Sequence, residues 1–225
     1  MSQKIIGIVS EGPRDFDVFN AIIEHLSPNT FRCIPIHPVQ SETSGFGSHG
    51  AGWKGVLSWC SQFNSNEDIE TYLNSFQPSI DALIIHIDAD IARESEINCY
   101  QDCENMLLTI RSLTDLLKNH MSINESDSNE RIIFCIPSDN TEAWILCAFS
   151  PELDNPPDSI IECINKPDLR LATHPLSLLK LKNGKPKKSA NKYLEILIPK
   201  MISEWDVVKE KCTQANQLSD NILSL

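Results

Sequence analysis

The sequence predicts an α/β protein: a mainly parallel, four-stranded sheet of the Rossmann-like kind, flanked by helices and followed by a C-terminal helical extension. Two observations lead to this prediction. Short apolar runs at residues 4–10, 31–37, 82–87 and 131–136 have the length and composition of strands. Segments with apolar residues at helical spacing separate them, and strands that alternate with helices form parallel sheets covered on both faces.

The first two strands flank one predicted helix, and both of its ends carry sequence signals. Pro13 suits the first helical position, because the backbone N–H that proline lacks would have no partner there. The apolar pattern continues to Leu26, and the turn residues 27–29 end the helix before the second strand.

A glycine-rich loop is predicted at residues 41–55, which hold five of the eight glycines. Its string from Gly45 to Gly50 matches the G-x-G-x-x-G fingerprint of dinucleotide sites. That fingerprint belongs after the first strand of a βαβ unit, whereas this copy follows the second. We therefore predict a flexible loop, with Lys54 at a helix start, whose amides could still cradle phosphate.

The rest of the chain is predicted to be largely helical around the last two strands. The remaining predicted helices lie at residues 55–63, 68–76, 97–119, 141–149, 193–205 and 207–225. Asn140 or Thr141 is the predicted cap of the helix that follows the fourth strand. Residues 124–129 form a polar loop, and residues 151–175 read as a connection. These elements divide the chain into an α/β domain at 1–150 and a basic, helical C-terminal segment at 151–225 that packs on it.

The cysteines and the length of the apolar runs indicate the compartment in which the protein works. Eight cysteines without a C-x-x-C pair indicate buried free thiols in a reducing compartment rather than zinc or disulfides. No apolar run approaches the ~18–20 residues that span a bilayer, and the N-terminus lacks a secretory apolar region. We therefore expect a cytoplasmic protein that does not bind membranes.

The charge distribution is uneven. A net charge of −12 argues against extensive electrostatic binding of nucleic acid by this chain alone. Between residues 180 and 200, however, the sequence is strongly basic. The lysines of this segment are Lys180, Lys182, Lys185, Lys187, Lys188, Lys192 and Lys200. Phosphate contact and a solvated charged face are both open interpretations of this segment.

Carboxylates follow three of the four predicted strands. Glu11 directly follows the first strand, and Asp88 and Asp90 follow the third. Glu142 opens the helix after the fourth strand, and Asp15 lies one turn into the first helix. Because the carboxyl ends of parallel strands share one edge of a sheet, we expect these side chains to meet there.

Clustered carboxylates repel unless a cation lies between them. An all-oxygen ligand set suits Mg²⁺ or Mn²⁺ rather than zinc. Two such ions about 4 Å apart would activate a water and stabilise the leaving oxygen of a phosphodiester.

Each of these residues also has a structural explanation. Glu11 and Asp15 could simply be acids favoured at a helix N-terminus, and Glu142 could belong to a capping arrangement. His86, inside the third strand, is better explained as a satisfied core histidine than as a ligand. These explanations account for the residues singly, but they do not explain why acids follow three of the four strands.

The order and spacing of these motifs resemble the TOPRIM domain of topoisomerases, bacterial primases and OLD-family (overcoming lysogenization defect) nucleases. Glu11-Gly12, with Asp15, gives the string E-G-x-x-D, and Asp88-x-Asp90 gives the D-x-D. A further string, E-A-W-I-L at residues 142–146, is similar to one in small stand-alone TOPRIM-like proteins related to OLD nucleases. Many of those are associated with bacterial anti-phage loci, often beside an ABC-type ATPase. The resemblance covers roughly residues 4–149.

The resemblance implies a Mg²⁺- or Mn²⁺-dependent nuclease that acts in anti-phage defence. It makes Glu11, Asp88, Asp90 and Glu142 metal ligands of a two-ion site, and it makes Asp15 either a ligand of the second ion or a carboxylate that supports the ligands. One lysine, Lys192 or Lys188, would neutralise charge on the scissile phosphate. The implied partners are nucleic acid (DNA rather than RNA), an OLD-like ABC-type ATPase, and a second copy of the chain. The alternative function is a non-catalytic TOPRIM-like module that docks on a partner ATPase or toxin.

Overall fold

A four-stranded, all-parallel sheet lies at the centre of the fold. The computed structural model of the chain describes residues 3–39, 45–123, 129–149, 161–173 and 176–225. The strands are β1 (Lys4–Val9), β2 (Phe31–His37), β3 (Ala82–His86) and β4 (Ile132–Cys135). Their order in the sheet is β2-β1-β3-β4, and every pair is parallel. The predicted α/β class and parallel sheet are confirmed.

The two central strands are buried because their side chains are apolar on both faces. All five residues of β3 are buried, and in β1 only Lys4 is exposed. Gly7 allows the close approach of the neighbouring strands: a Cβ there would lie 3.0 Å from Ile36 and 3.1 Å from Leu83. The adjacent carboxyl ends of β1 and β3 therefore bring the residues that follow each strand together at the same edge.

Helices cover both faces of the sheet. They are α1 (Pro13–Leu26), α2 (Gly52–Cys60), α3 (Asn66–Asn74), α4 (Met106–His120), α5 (Glu142–Ala148), α6 (Pro167–Thr173), α7 (Ala190–Lys192), α8 (Ile198–Ser203), α9 (Trp205–Lys211) and α10 (Thr213–Ser224). A π-helical turn, Tyr193–Leu197, joins α7 to α8, and short 3₁₀ turns lie at Ala89–Arg93, Cys103–Asn105 and Ile161–Cys163.

Two apolar cores result, one on each face of the sheet. The first core contains α1, α5 and residues of the C-terminal helices, and the second contains α2, α3 and α4. Trp144 is central to the first core, where its ring packs edge-on against those of Phe19 and Trp205. The C-terminal helices thus share their core with the helices that carry the acidic motifs.

Helix α4 begins at Met106 rather than near residue 97 as predicted. Asn98 has a positive φ of 46°, which a helix cannot contain. The N–H groups of Cys99 and Tyr100 instead donate to the carbonyl of Ala92, so this segment folds back on the 3₁₀ turn after β3. Tertiary hydrogen bonds override the helical spacing here.

The C-terminal segment also differs from the prediction. Residues 190–225 form three helical stretches rather than two, because the backbone is non-helical at Glu204 and extended at Cys212. A two-stranded antiparallel hairpin, β5 (Lys180–Lys182) and β6 (Lys185–Lys187), precedes them and was not predicted. Helix α6 lies within the predicted connection at 151–175, and residues 124–128 of the predicted polar loop lie outside the described residues.

The prediction of free thiols is wrong for two of the eight cysteines. Cys103 and Cys163 form a disulfide, with their Cα atoms 5.2 Å apart, a separation that such a bond requires. The other six cysteines are free, and Cys60, Cys135 and Cys147 are among the four that are buried. In the described part of the chain, none of the helices combines the length and apolarity needed to cross a bilayer.

Candidate functional site

The site begins where β1 and β3 end, with a direct contact between Glu11 and Asp88. One carboxylate oxygen of Glu11 accepts the backbone N–H of Asp88 at 2.8 Å. The backbone carbonyl of Glu11 also accepts the N–H of Gly52 at 2.8 Å, which attaches the glycine-rich segment to the same edge. The first two predicted acidic positions are therefore brought together, although they are 77 residues apart in the chain.

Asp15 connects the start of α1 to the residue before α5. One of its oxygens accepts the N–H of Gly12 at 3.0 Å, which satisfies an otherwise free donor at the helix N-terminus. The other accepts the hydroxyl of Thr141 at 3.1 Å. Asp15 is buried, so both oxygens are held by the protein.

Glu142 is fully buried and is neutralised by a lysine from the C-terminal segment. The ammonium of Lys188 lies 2.7 Å and 2.8 Å from the two carboxylate oxygens of Glu142. The hydroxyl of Tyr193 donates to the same carboxylate. Burial alone would lower the pKa of Lys188, but the negative charges of Glu142, Asp15 and Asp88 outweigh it and raise that pKa, so the ammonium keeps its proton.

The carboxylate of Asp88 contacts the buried ring of His86, a residue of β3. Its Nε2 lies 3.1 Å from an oxygen of Asp88, and its ring is fully buried against the edge of Phe19. Burial disfavours the imidazolium, yet the hydrogen bond and the charge of Asp88, with the charges of Asp15 and Glu11, raise the pKa of His86. His86 is therefore a partner of the site, and not only the core histidine that was predicted.

Two carboxyl groups of this edge hold protons unusually tightly. Burial, followed by the charge of Asp88, raises the pKa of Glu11 from 4.5 to about 8. Burial and the charges of Asp88 and Asp139 raise the pKa of Asp90 from 3.8 to about 7. Both shifts have the same cause, since carboxylates gathered in a poorly solvated place disfavour one another's ionisation. A bound cation would relieve that repulsion.

Asp139, which sequence reasoning did not select, fixes the turn before α5 and the main chain of Asp90. Its backbone carbonyl accepts the N–H of Asp90 at 2.9 Å. Its buried carboxylate binds Arg93 at 2.6 Å and the N–H of Lys166 at 2.9 Å. Asp139 also has a positive φ of 60°, a conformation that Asp and Asn tolerate better than most residues. Arg93 also donates to Asn165, so the segment after Cys163 is tied to this edge.

The structure brings most of the predicted site residues together, but not Lys192. The charges of Asp15, Asp88 and Asp90 all act on Lys188 or are affected by it. The ammonium of Lys192 instead donates to the backbone carbonyl of Ser177 at 2.5 Å and forms no ion pair with a described carboxylate. Of the two predicted lysines, Lys188 is the one beside the acidic residues.

The carboxylate oxygens at this edge are the ligands that a hard divalent cation prefers, but their spacing does not form a ready-made ion site. Glu11, Asp88 and Asp90 offer only oxygens, and the Asp90 carboxylate accepts no hydrogen bond from a described residue. Mg²⁺ and Mn²⁺ prefer such ligands. Within the described ranges, however, no group of three or more His, Cys, Asp or Glu side chains is spaced to hold an ion as it stands.

Comparisons of the chain with protein-family models, curated proteins and solved structures found no match. Function is therefore inferred from the residues of the site.

Three residues of the site gave no local signal in the sequence. Thr141 and Tyr193 contact Asp15 and Glu142 only through the tertiary fold. Asp139 lies in a turn-forming string, Pro-Ser-Asp-Asn at residues 137–140, which indicates a turn but not an ion pair with Arg93. The position of His86, two residues before Asp88 on a strand, was a usable signal, because such residues share a face of the sheet.

Proposed function

We propose that the chain is a Mg²⁺- or Mn²⁺-dependent phosphodiester hydrolase that acts on nucleic acid through a TOPRIM-like site. The observation that carries this proposal is the hydrogen bond from Asp88 to Glu11, which joins the acidic ends of the two central strands. Carboxylates at the carboxyl edge of a parallel sheet are placed where such sheets bind their ligands. The raised pKa values of Glu11 and Asp90 support a cation site at this edge.

Three carboxylates are the proposed ligands of the first ion: Glu11, Asp88 and Asp90. When bound, a divalent ion supplies Lewis-acid stabilisation of phosphate charge and activates a water nucleophile. His86 orients the carboxylate of Asp88 through their 3.1 Å contact, and the carbonyl of Asp139 holds the main chain of Asp90. Such supporting hydrogen bonds fix the direction of ligand side chains.

Lys188 is the proposed phosphate-binding cation. Its ammonium lies among the acidic residues, on Glu142, and its side chain is about one-third exposed, so it can turn toward a substrate. Asp15 and Glu142 would then form the second ion site or hold the lysine in place. Lys192 has no comparable position, since it binds the carbonyl of Ser177.

A biological setting is proposed from the motif resemblance. A protein with these motifs would serve as an effector in anti-phage defence, acting on DNA rather than RNA. The net charge of −12 favours work with a partner that brings the substrate, and an OLD-like ABC-type ATPase or a second copy of the chain is the proposed partner. The proposed location is the cytoplasm, a compartment in which a disulfide such as Cys103–Cys163 is uncommon.

One observation favours a second candidate function, a non-catalytic module that docks on a partner ATPase or toxin. Lys188 and Tyr193 already occupy the oxygens of Glu142, and Gly12 and Thr141 occupy those of Asp15. A site neutralised internally in this way could be stable without an ion.

Metal binding and cleavage of labelled DNA and RNA decide between the two functions. We expect Mg²⁺ or Mn²⁺ to raise the Tm of the wild-type chain and to support cleavage that EDTA abolishes. Asp88→Asn should remove both effects, whereas Asp220→Asn, an equal charge change on the exposed part of α10, should remove neither. If neither ion shifts the Tm and no cleavage occurs, the docking module is the better assignment.

A further inference from the structure

The β5–β6 hairpin has an unusual distribution of charge. Lys180 pairs with Lys187, and Lys182 pairs with Lys185, in an antiparallel ladder. The turn between the strands is Asn183-Gly184, with φ values of 53° and 75°. Two consecutive positive φ values are typical of the tight two-residue turn that Asn-Gly favours, so the register of this ladder is fixed by its turn.

That register places four lysines on one face. Side chains two apart in a strand lie on the same side, and directly paired residues share that side. The other face of the hairpin therefore carries Leu181 and Pro186. We call the four-lysine side the lysine face; it consists of Lys180, Lys182, Lys185 and Lys187, all of them exposed.

Nothing in the described part of the chain neutralises the lysine face. The ion pairs that described lysines form involve other positions, Lys54, Lys188, Lys200 and Lys209. Like charges directly opposite each other in a ladder disfavour the hairpin. Two such pairs on a chain with a net charge of −12 indicate that the charge serves binding rather than folding.

We propose that the lysine face binds the phosphate backbone of a nucleic-acid strand and leads it to the acidic edge of the sheet. This inference rests on the proposed function and names where its substrate is held. Lysines two apart along a strand are ~6.6 Å apart, about the rise of two nucleotides of one DNA strand, so each ammonium can meet a different phosphate. Lys188, the residue after β6, already contacts Glu142 at the site.

A lysine-rich hairpin can also serve only to prevent edge-to-edge aggregation. That role requires charge on the edge but no ligand, and it predicts no change in nucleic-acid affinity when the charge is removed. The two roles therefore separate in a binding experiment.

The experiment measures fluorescence anisotropy of labelled single-stranded and duplex DNA against the intact chain, in EDTA so that nothing is cleaved, over a series of NaCl concentrations. The hairpin variant carries Lys→Gln at all four positions of the lysine face. The matched control variant removes four exposed or partly exposed cations elsewhere and has the same net charge. Its substitutions are Arg32→Gln, Arg111→Gln, Lys118→Gln and Lys211→Gln.

We expect the hairpin variant to bind at least tenfold more weakly at 50 mM NaCl. The slope of log K against log salt should fall by about 3, because each lost phosphate contact removes ~0.7–0.9 from it. The control should stay within about threefold of wild type. The two half variants, Lys180→Gln with Lys187→Gln and Lys182→Gln with Lys185→Gln, should each lose about half of the slope, and circular dichroism verifies that they fold.

Three results would overturn the inference. Equal losses in the hairpin and control variants would indicate net charge alone, and unchanged binding with increased aggregation would indicate edge protection. In a parallel vesicle-binding assay, a hairpin variant that lost binding to anionic vesicles but still bound DNA would assign the face to a membrane surface. A failure of the proposed function can be distinguished from a failure of this inference. Asp88→Asn should bind DNA as the wild type does and lose cleavage. If the wild-type chain binds DNA through the lysine face but never cleaves it, the inference stands and the nuclease function is contradicted.

Discussion

Lys188 lies 2.7 Å and 2.8 Å from the two carboxylate oxygens of Glu142, so a buried anion at the start of α5 is neutralised by a lysine 46 residues later. Glu142 is fully buried, whereas Lys188 is about one-third exposed. The charge balance of the acidic edge thus depends on the segment that follows the β5–β6 hairpin.

Removal of that lysine should destabilise the fold. Lys188→Met leaves Glu142 buried without its cation, and of the partners Lys188 and Tyr193 only the Tyr193 hydroxyl remains. We expect a loss of about 2–3 kcal/mol in the free energy of unfolding, below the value for a fully buried pair because Lys188 is partly exposed. Urea denaturation at pH 7.5 measures it. The double variant with Glu142→Gln should lose less than Lys188→Met alone; additive losses would show that the two residues are not coupled.

The stability of the ion-free chain should fall as the pH rises. Folding raises the pKa of Glu11 from 4.5 to about 8 and that of Asp90 from 3.8 to about 7. The folded state thus binds these protons more tightly, and its advantage, full below pH 4, is lost as the pH rises through 7 and 8. We expect the free energy of unfolding to decrease by several kcal/mol, on the order of 3–6, between pH 5 and 8.5 in EDTA. Glu11→Gln should flatten the curve, whereas Glu67→Gln, on the exposed side of α3, should not.

Ion binding should show the opposite dependence on pH. Because Mg²⁺ must displace the protons held by Glu11 and Asp90, its affinity should increase between pH 6 and 8.5, with proton release on binding. Calorimetry in two buffers of different ionisation enthalpy measures that release. Affinity that does not vary with pH would place the ion elsewhere.

Substitution of Asp139 should lower the free energy of unfolding in two ways, through its charge and through its backbone conformation. Asp139→Ala removes the partner of Arg93 and puts alanine at a φ of 60°, so we expect a loss of about 2–4 kcal/mol in the free energy of unfolding. Asp139→Asn, which tolerates this φ and keeps one acceptor, should lose clearly less. Equal losses would mean that the backbone conformation contributes nothing.

Reduction of the Cys103–Cys163 disulfide should lower stability without unfolding the chain. The bond closes a loop of 60 residues, for which chain entropy predicts about 4 kcal/mol. Thiol titration in denaturant should find six free thiols before reduction and eight after. The Cys103→Ser/Cys163→Ser variant should have the stability of the reduced chain; eight free thiols before reduction would show that the bond does not form.

The sheet and its acidic edge could be predicted from the sequence because both depend on local patterns. Apolar runs identified all four strands of the sheet, β1 to β4, and the rule for parallel sheets then placed Glu11 beside Asp88. The start of α4 could not be predicted, because a fold-dependent hydrogen bond to Ala92 overrides an amphipathic pattern.

The partners of the site were harder to predict than its acids. The choice between Lys188 and Lys192 depends on how the hairpin directs the chain into α7, which no short-range pattern specifies. The hairpin itself was missed despite its Asn183-Gly184 turn, because lysine-rich flanks lack the apolar alternation by which strands are recognised.

Glu11 connects three parts of the molecule: it lies two residues after β1, its carbonyl accepts the N–H of Gly52, and its side chain accepts the N–H of Asp88. A change in the protonation or ligation of its carboxylate would act directly on the main chain of Asp88, and a shift of its backbone would move Gly52 of the glycine-rich segment. Because Glu11 would bind the ion and also contacts both loops, ion binding at this edge and the conformation of the two loops are coupled.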